Sequence, residues 1–194
     1  MRPIAASVVL YLCITPLAGL GQTCERLSGA TSVDSIADSV DYLRAERQLP
    51  LPKQNSACIT IAIRQLEHHP SADAIEVLIQ FLDFKRPTTD MDSYRPSNDP
   101  ARFYPASSTL ITLGEDSVGP LIGAIKNSKS PITDNAIYTL MGIRRETAPS
   151  VVRLLAEEAA KSSGTEAQNL RGAAQSAAQL CGRRFRQMCM DQLK

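Results

Sequence analysis

The sequence predicts an all-α chain, a short right-handed α-solenoid of about four helical hairpins behind an N-terminal capping helix. Three observations carry this. The stretch 106–161 holds two copies of one pattern, in which Gly114 recurs as Gly142, Pro120 as Pro149, Ile122 as Val151 and Ile125 as Leu154, at offsets of 28, 29, 29 and 29 residues. A period of about 30 residues built from two helical patterns is the mark of stacked helix pairs. Apolar residues elsewhere recur at three- and four-residue spacing, as one buried helix face requires. Finally, 43% of the 194 residues are hydrophobic, yet only 5% are aromatic and none is Trp. The interior must therefore be built from Leu, Ile, Val and Ala, which suits closely packed helices.

The first residues read as an export signal. Arg2 is the lone charge ahead of an apolar run from Ile4 to Leu20, Pro16 interrupts that run, and Gly19 and Gly21 place small residues where a signal peptidase reads. Cleavage after Gly21 divides the chain into a signal peptide, 1–21, and a mature domain, 22–194. The alternative is a single N-terminal membrane anchor, for which the run is at the short edge. With the signal removed, no integral membrane segment is expected.

Val33, Ile36, Val40 and Leu43 line one narrow face of the first helix, after a capping box at Thr31 to Asp34. Asp34, Asp38, Asp41, Arg44, Glu46 and Arg47 occupy its other sides, as an end cap requires. Pro50 and Pro52 stop it. The next helix runs from about Ser56 to His68 with Ile59, Ala62, Ile63 and Leu66 inward, and Ser71 caps another with Ile75, Leu78, Ile79 and Leu82 inward. Leu78, Ile79 and Leu82 match Leu121, Ile122 and Ile125, so 56–84 reads as an earlier copy of the pair.

The stretch 85–105 interrupts the array with four prolines and several Asp and Asn residues, a composition that cannot continue a helix. Beyond it, Ser117 and Thr147 are placed to cap the second helices of the two clear copies. Ser130 is placed to cap a first helix with Pro131 at its first position. A last pair opens with a capping-box pattern at Ser163 to Glu166. Its first helix carries the small residues Ala167, Gly172, Ala173, Ala174, Ala177 and Ala178 for close packing, and after Gly182 a terminal helix uses Phe185, Met188 and Leu193 as apolar contacts.

Export changes how the cysteines read. Cys13 leaves with the signal, and Cys24, Cys58, Cys181 and Cys189 remain, an even number in a compartment that permits disulfides. The expected pairs are Cys24 with Cys58 and Cys181 with Cys189. Eight residues of straight helix span about 12 Å, too far for a bridge, so the second pair needs a turn at Gly182. Buried thiols are the alternative. No pair has the two-residue spacing that favours zinc.

The formal net charge is +1, and removing Arg2 makes the mature chain neutral, which argues against a protein built to grip nucleic acid. His68 and His69 are adjacent at a helix end and point about 100° apart, so they cannot chelate one ion from a regular helix. No G-x-S-x-G elbow exists to recruit either one. Asp90 and Asp92 begin like a calcium loop, but Tyr94 and Arg95 stand where a ligand and a glycine belong. The carboxylate pairs Glu157–Glu158 and Glu115–Asp116 read as solvated faces and helix starts. Arg183, Arg184 and Arg186 form a small basic cluster, either a solvated edge or a contact for an anionic partner or membrane surface. No catalytic residue, metal or cofactor is expected.

The segment from Ala106 to Lys129 resembles a HEAT-like repeat of the short kind found in phycobilisome-lyase-type arrays. A small-residue helix ends in Leu113-Gly114, and an apolar helix is entered through Pro120-Leu121-Ile122. The next copy supplies Ala136, Met141-Gly142 and Pro149. The likeness extends over about 56–181. The Arg usual near the start of the first helix is absent, with Asp134 or Asn135 near its place. The resemblance implies a non-catalytic scaffold that binds a protein or peptide. The inserted loop combines Tyr94, Arg95, Arg102, Phe103 and Tyr104, the residue types of contact hot spots, and is the expected binding site. Two other readings stand beside this one. An enzyme accessory, lyase- or chaperone-like, would need a reactive thiol. A purely structural envelope protein would need no discrete site. The expected location is periplasmic or secreted.

Overall fold

Apolar stripes at helical spacing and small or polar residues at the helix starts produce a chain whose described elements are all helical. The computed structural model describes residues 33–87, 102–127, 131–144, 148–183 and 185–193. In chain order the helices are α1 (Val33–Arg47), α2 (Ser56–Gln65), α3 (Ala72–Gln80), α4 (Pro105–Leu113), α5 (Val118–Asn127), α6 (Ile132–Ile143), α7 (Ala148–Lys161), α8 (Gly164–Leu180) and α9 (Arg186–Asp191). Short 3-10 turns at Leu51–Lys53 and Gly114–Ser117 join α1 to α2 and α4 to α5. The expected signal, Cys24 and the capping residues Thr31, Ser130 and Thr147 lie outside the described residues.

The helices pack in two rows. One row runs α2, α4, α6, and the other runs α1, α3, α5. The long α8 packs against both α5 and α6 and most extensively against α7. The grouping differs from the sequence reading, which paired α2 with α3 and α4 with α5 as hairpins. Between helices consecutive in the chain, the close backbone approaches fall across those groups, at α1–α2, α3–α4, α5–α6 and α7–α8. Ala167, Ala173, Ala174, Ala177 and Ala178 are all buried on α8, a stripe without bulk on the helix that packs most extensively on α7. Gly172, expected among them, is exposed.

Burial gives the repeat a different phase from the one the sequence suggested. Ala106, Ser107, Thr109 and Leu110 are buried on α4, and thirty residues on, Ala136, Ile137, Thr139 and Leu140 are buried on α6. Val118, Leu121, Ile122 and Ile125 on α5 are followed thirty residues on by Ala148, Val151, Val152 and Leu155 on α7. Leu154, expected as the partner of Ile125, is only half-buried. On the other side of the insertion the same stripes appear forty-four residues earlier: Ala62 and Ile63 on α2 with Leu66 at its C-cap, and Ala74, Val77 and Leu78 on α3 with Phe81 at its C-cap. The surplus of fourteen residues falls at the expected insertion, 85–105.

Two asparagines mark this repeat in the polar contacts. Asn135 Nδ2 on α6 donates to the Leu82 carbonyl at the end of α3 (2.7 Å), and Asn169 Nδ2 on α8 donates to the Lys126 carbonyl at the end of α5 (2.8 Å). Leu82 and Lys126 are themselves forty-four residues apart. The last carbonyls of a helix lack partners within it, and each asparagine supplies one from a later helix. Asn135 thus ties α6 to the end of α3.

Several local expectations need correction. Ser71 does cap α3, its Oγ accepting from the Ala74 amide (3.1 Å). Ser117 does not cap α5. It ends the 3-10 turn, fully buried, and its Oγ finds no partner among the protein groups. Ser163 occupies the cap position of α8 without a side-chain bond. Glu46, placed on the polar side of α1, is buried, because both carboxylate oxygens are satisfied there. Oε1 accepts from the Tyr42 hydroxyl (2.7 Å) and Oε2 from the Asn55 amide (3.1 Å) at the start of α2. Burial first, then the neighbouring carboxylate of Glu46, holds the Tyr42 phenol well above its ordinary range.

The C-terminus turns as the bridge demands. Helix α8 ends at Leu180, Cys181 has extended backbone, and α9 begins at Arg186. Cys181 and Cys189 are disulfide-bonded with their Cα atoms 6.6 Å apart. Cys58 is disulfide-bonded as well, to a partner outside the described residues. Phe185 and Leu193 pack on the core as expected, whereas Met188 is 56% exposed and the inward residue of α9 is Cys189. Among the described residues no helix is long and apolar enough to cross a membrane.

Candidate functional site: the base of the inserted loop

The insertion leaves the array just after α3, and its two ends are held together by one arginine. Phe81 is buried at the end of α3 with Phe84 edge-on to it (6.1 Å between centroids). From α1, Arg47 lies over the Phe81 ring (5.5 Å) and pairs with Asp83 (3.0 Å), fixing the exit of the chain. Arg86 then spans the gap. Its amide donates to the Phe103 carbonyl (2.9 Å), its Nε to the Arg102 carbonyl (2.9 Å) and its Nη1 to the Pro87 carbonyl (3.1 Å). On the returning side, Tyr104 sits at the cap position of α4 and Pro105 is the first residue of that helix, where a missing amide is harmless.

This clamp sets three cationic groups around one aromatic ring. Lys85 Nζ lies 5.5 Å from the Phe103 centroid, the Arg86 guanidinium carbon 5.7 Å and the Arg102 guanidinium carbon 5.9 Å. Each contact is attractive by about 0.5–1 kcal/mol. Lys85 is exposed, and Arg102, Phe103 and Tyr104 are half-buried. The ledge offers positive charge beside an aromatic surface. That chemistry suits a carboxylate-bearing segment with an apolar neighbour.

Of the five residues expected at the site, Arg102, Phe103 and Tyr104 are brought together at this base, and Tyr94 and Arg95 lie outside the described residues. Lys85 and Arg86 were missed. The signal for them was present, a basic pair immediately before Pro87, but no sequence rule says that a loop's two ends will meet there.

The other candidates fall where solvent and ion pairs hold them. His68 and His69 are exposed beyond the end of α2. Glu157 pairs with Arg153 (3.7 Å), and Glu115 with Arg144 (2.6 Å). Glu158 bridges Lys126 and Lys161, each at 3.0 Å, and the two ammonium groups, Lys161 foremost, hold its carboxyl below the usual range. Asp90 and Asp92 lie outside the described residues. Among the described residues no three His, Cys, Asp or Glu side chains gather as metal ligands. A concavity of about 310 Å³ lies between α6 and the end of α8, lined by Asp134, Ile137, Tyr138, Gln179 and Leu180 among others.

No family model, curated protein or solved structure matches this chain.

Proposed function

We propose that this chain is an exported, non-catalytic helical-repeat scaffold of the HEAT-like kind, an α-solenoid interrupted by one loop, and that it binds an acidic segment of a protein or peptide partner at the base of that loop. The observation that carries the binding role is the cluster of Lys85, Arg86 and Arg102 around Phe103. The repeat reading is supported by stripes of burial recurring every thirty residues and by the matching asparagine contacts. Export is supported by the Cys181–Cys189 bridge, since disulfides persist in oxidising compartments.

The division of labour is simple. Stacked helices supply a rigid support, Arg86 holds the loop ends, and Lys85, Arg102, Phe103 and Tyr104 meet the partner. Such contact sites concentrate their energy in a few aromatic and arginine groups, each worth about 2 kcal/mol or more on truncation. Affinity capture from the compartment where the protein resides, with the native chain and with Phe103→Ala and Lys85→Glu, tests the reading. The native chain is expected to enrich a partner that both variants lose. Equal enrichment of that partner by both variants would place the contact elsewhere.

A further inference from the structure

Away from the loop base, α7, α8 and the residues after α9 enclose a cavity of about 370 Å³. Two of its walls follow from helical spacing. Ala156, Ala159 and Ala160 stand one turn apart on α7, and Arg171, Ala174 and Gln175 do so on α8. Ala159 and Ala174 are buried, so the hollow reaches the seam between the two helices. Gln192 and Leu193 close the third side. That side is held in place, because Leu193 packs on the core, α9 packs on α7 and α8, and the Cys181–Cys189 bridge ties the segment down. The cavity is therefore formed before anything enters it, and its size falls within the range of about 300–1,000 Å³ usual for small-ligand clefts. Arg171 is its one charged lining residue, and it is exposed. Among the described residues, the side chains of Arg171, Gln175 and Gln192 find no hydrogen-bond or ion-pair partner. The carboxylates beside the alanines on α7 are already engaged, Glu157 by Arg153 and Glu158 by Lys126 and Lys161. The cavity thus presents one cation without a counter-ion, two free carboxamides and an apolar floor.

We propose that this cavity binds a small organic monocarboxylate with an apolar body, of the kind of a medium-chain fatty acid. The planar guanidinium of Arg171 takes the carboxylate through two parallel bonds. The carboxamides of Gln175 and Gln192 donate to its remaining lone pairs. The hydrocarbon lies over the alanines of both helices and against Leu193, which offer no partner to a polar body. Charge decides between a carboxylate and a phosphate. A phosphate monoester carries about −1.5 to −2 at pH 7, and a single arginine matches a single negative charge. The site shares no residue with the loop base, so either one can fail without the other.

Calorimetric titration of the full, oxidised chain with octanoate tests this. Saturable binding is expected, with a Kd of about 1 mM or tighter. Arg171→Gln should weaken it about ten-fold. Ala160→Leu, which fills the cavity from an exposed position, should weaken it at least as much. Both positions are exposed, and an unchanged far-UV circular dichroism spectrum shows that each variant is folded. Octanol and octylammonium have the same body without the carboxylate and should bind less tightly than octanoate, as should octyl phosphate. Absence of saturable octanoate binding overturns the proposal. Affinity that either substitution leaves unaltered also overturns it, since the ligand then sits elsewhere. Equal binding of octanol or octylammonium reduces the cavity to an apolar hollow that does not read charge. Tighter binding of octyl phosphate replaces the carboxylate by a phosphate, and each of these two results equally overturns the proposal.

Discussion

Gly114 and Gly142 look equivalent in the sequence but do unrelated work. Gly114 ends α4 with φ of 70° and ψ of −135°, a backbone state that other residues rarely adopt. Gly142 lies within α6 with ordinary helical backbone, and its role is space. A Cβ there would meet the Ile111 side chain, with Cγ1 only 2.9 Å away. Isoleucine is stiff at this carbon, so α4 and α6 would have to separate. Two effects compete when Gly142 becomes Ala. Helix propensity gains about 0.5–1 kcal/mol, and overpacking costs about 1–3 kcal/mol. The clash should win, so Gly142→Ala is expected to lower stability in denaturant unfolding by about 1–2 kcal/mol. In an Ile111→Ala background the clash is gone, and the same change should become neutral or stabilising. A loss of equal size in both backgrounds would contradict the contact.

At the scale of elements, α5 and α7 make little close backbone contact, and their link runs through charge. Lys126 on α5 and Lys161 on α7 both hold Glu158 at 3.0 Å. The carboxyl is held below its ordinary value of 4.5 in the folded chain. A depressed acid stabilises the fold when ionised. Its contribution is fully present above about pH 4.5 and is lost as pH falls through the lower folded value. Side-chain exposures of 25% for Lys126 and 22% for Glu158 admit some screening, so the contribution is at most about 1 kcal/mol. The unfolding free energies of the native chain and Glu158→Gln should therefore differ near pH 7 and converge as pH drops below 4.5. A gap that stays constant or widens toward acid would show that Glu158 acts through packing and not through its charge.

For the molecule as a whole, helical class was legible because the stripes Ile59–Ala62–Ile63–Leu66 and Leu121–Ile122–Ile125 leave no other way to bury their side chains. The turn that joins Cys181 to Cys189 was legible from Gly182 and the length of a straight helix. The repeat was visible but misphased. Gly114, Gly142, Pro120 and Pro149 are conspicuous letters, yet Pro120 is exposed, and the two glycines answer different needs. Burial and not punctuation keeps the thirty-residue spacing. Glu46 was placed outside because a lone carboxylate normally is. Its partners, the Tyr42 hydroxyl and the Asn55 amide, exist only once α2 has folded back against α1. Likewise, Arg86 has no role legible in the sequence and gains one only with Phe103 beside it.

The proposed scaffold, thirty-residue units with a binding loop between them, makes a direct demand on the loop. Arg86 and Phe103 are already joined by a 2.9 Å bond across its base, so removing 88–101 should leave a unit with the spacing of its neighbours. The decisive measurement is thermal unfolding and partner capture by the chain with 88–101 deleted and Pro87 joined to Arg102. The expected result is an unchanged helical spectrum and a melting temperature within about 2–4 °C of the native one, a stability change of about 1 kcal/mol, together with weakened partner binding. A chain that no longer folds, or one that folds and captures its partner undiminished, would contradict it.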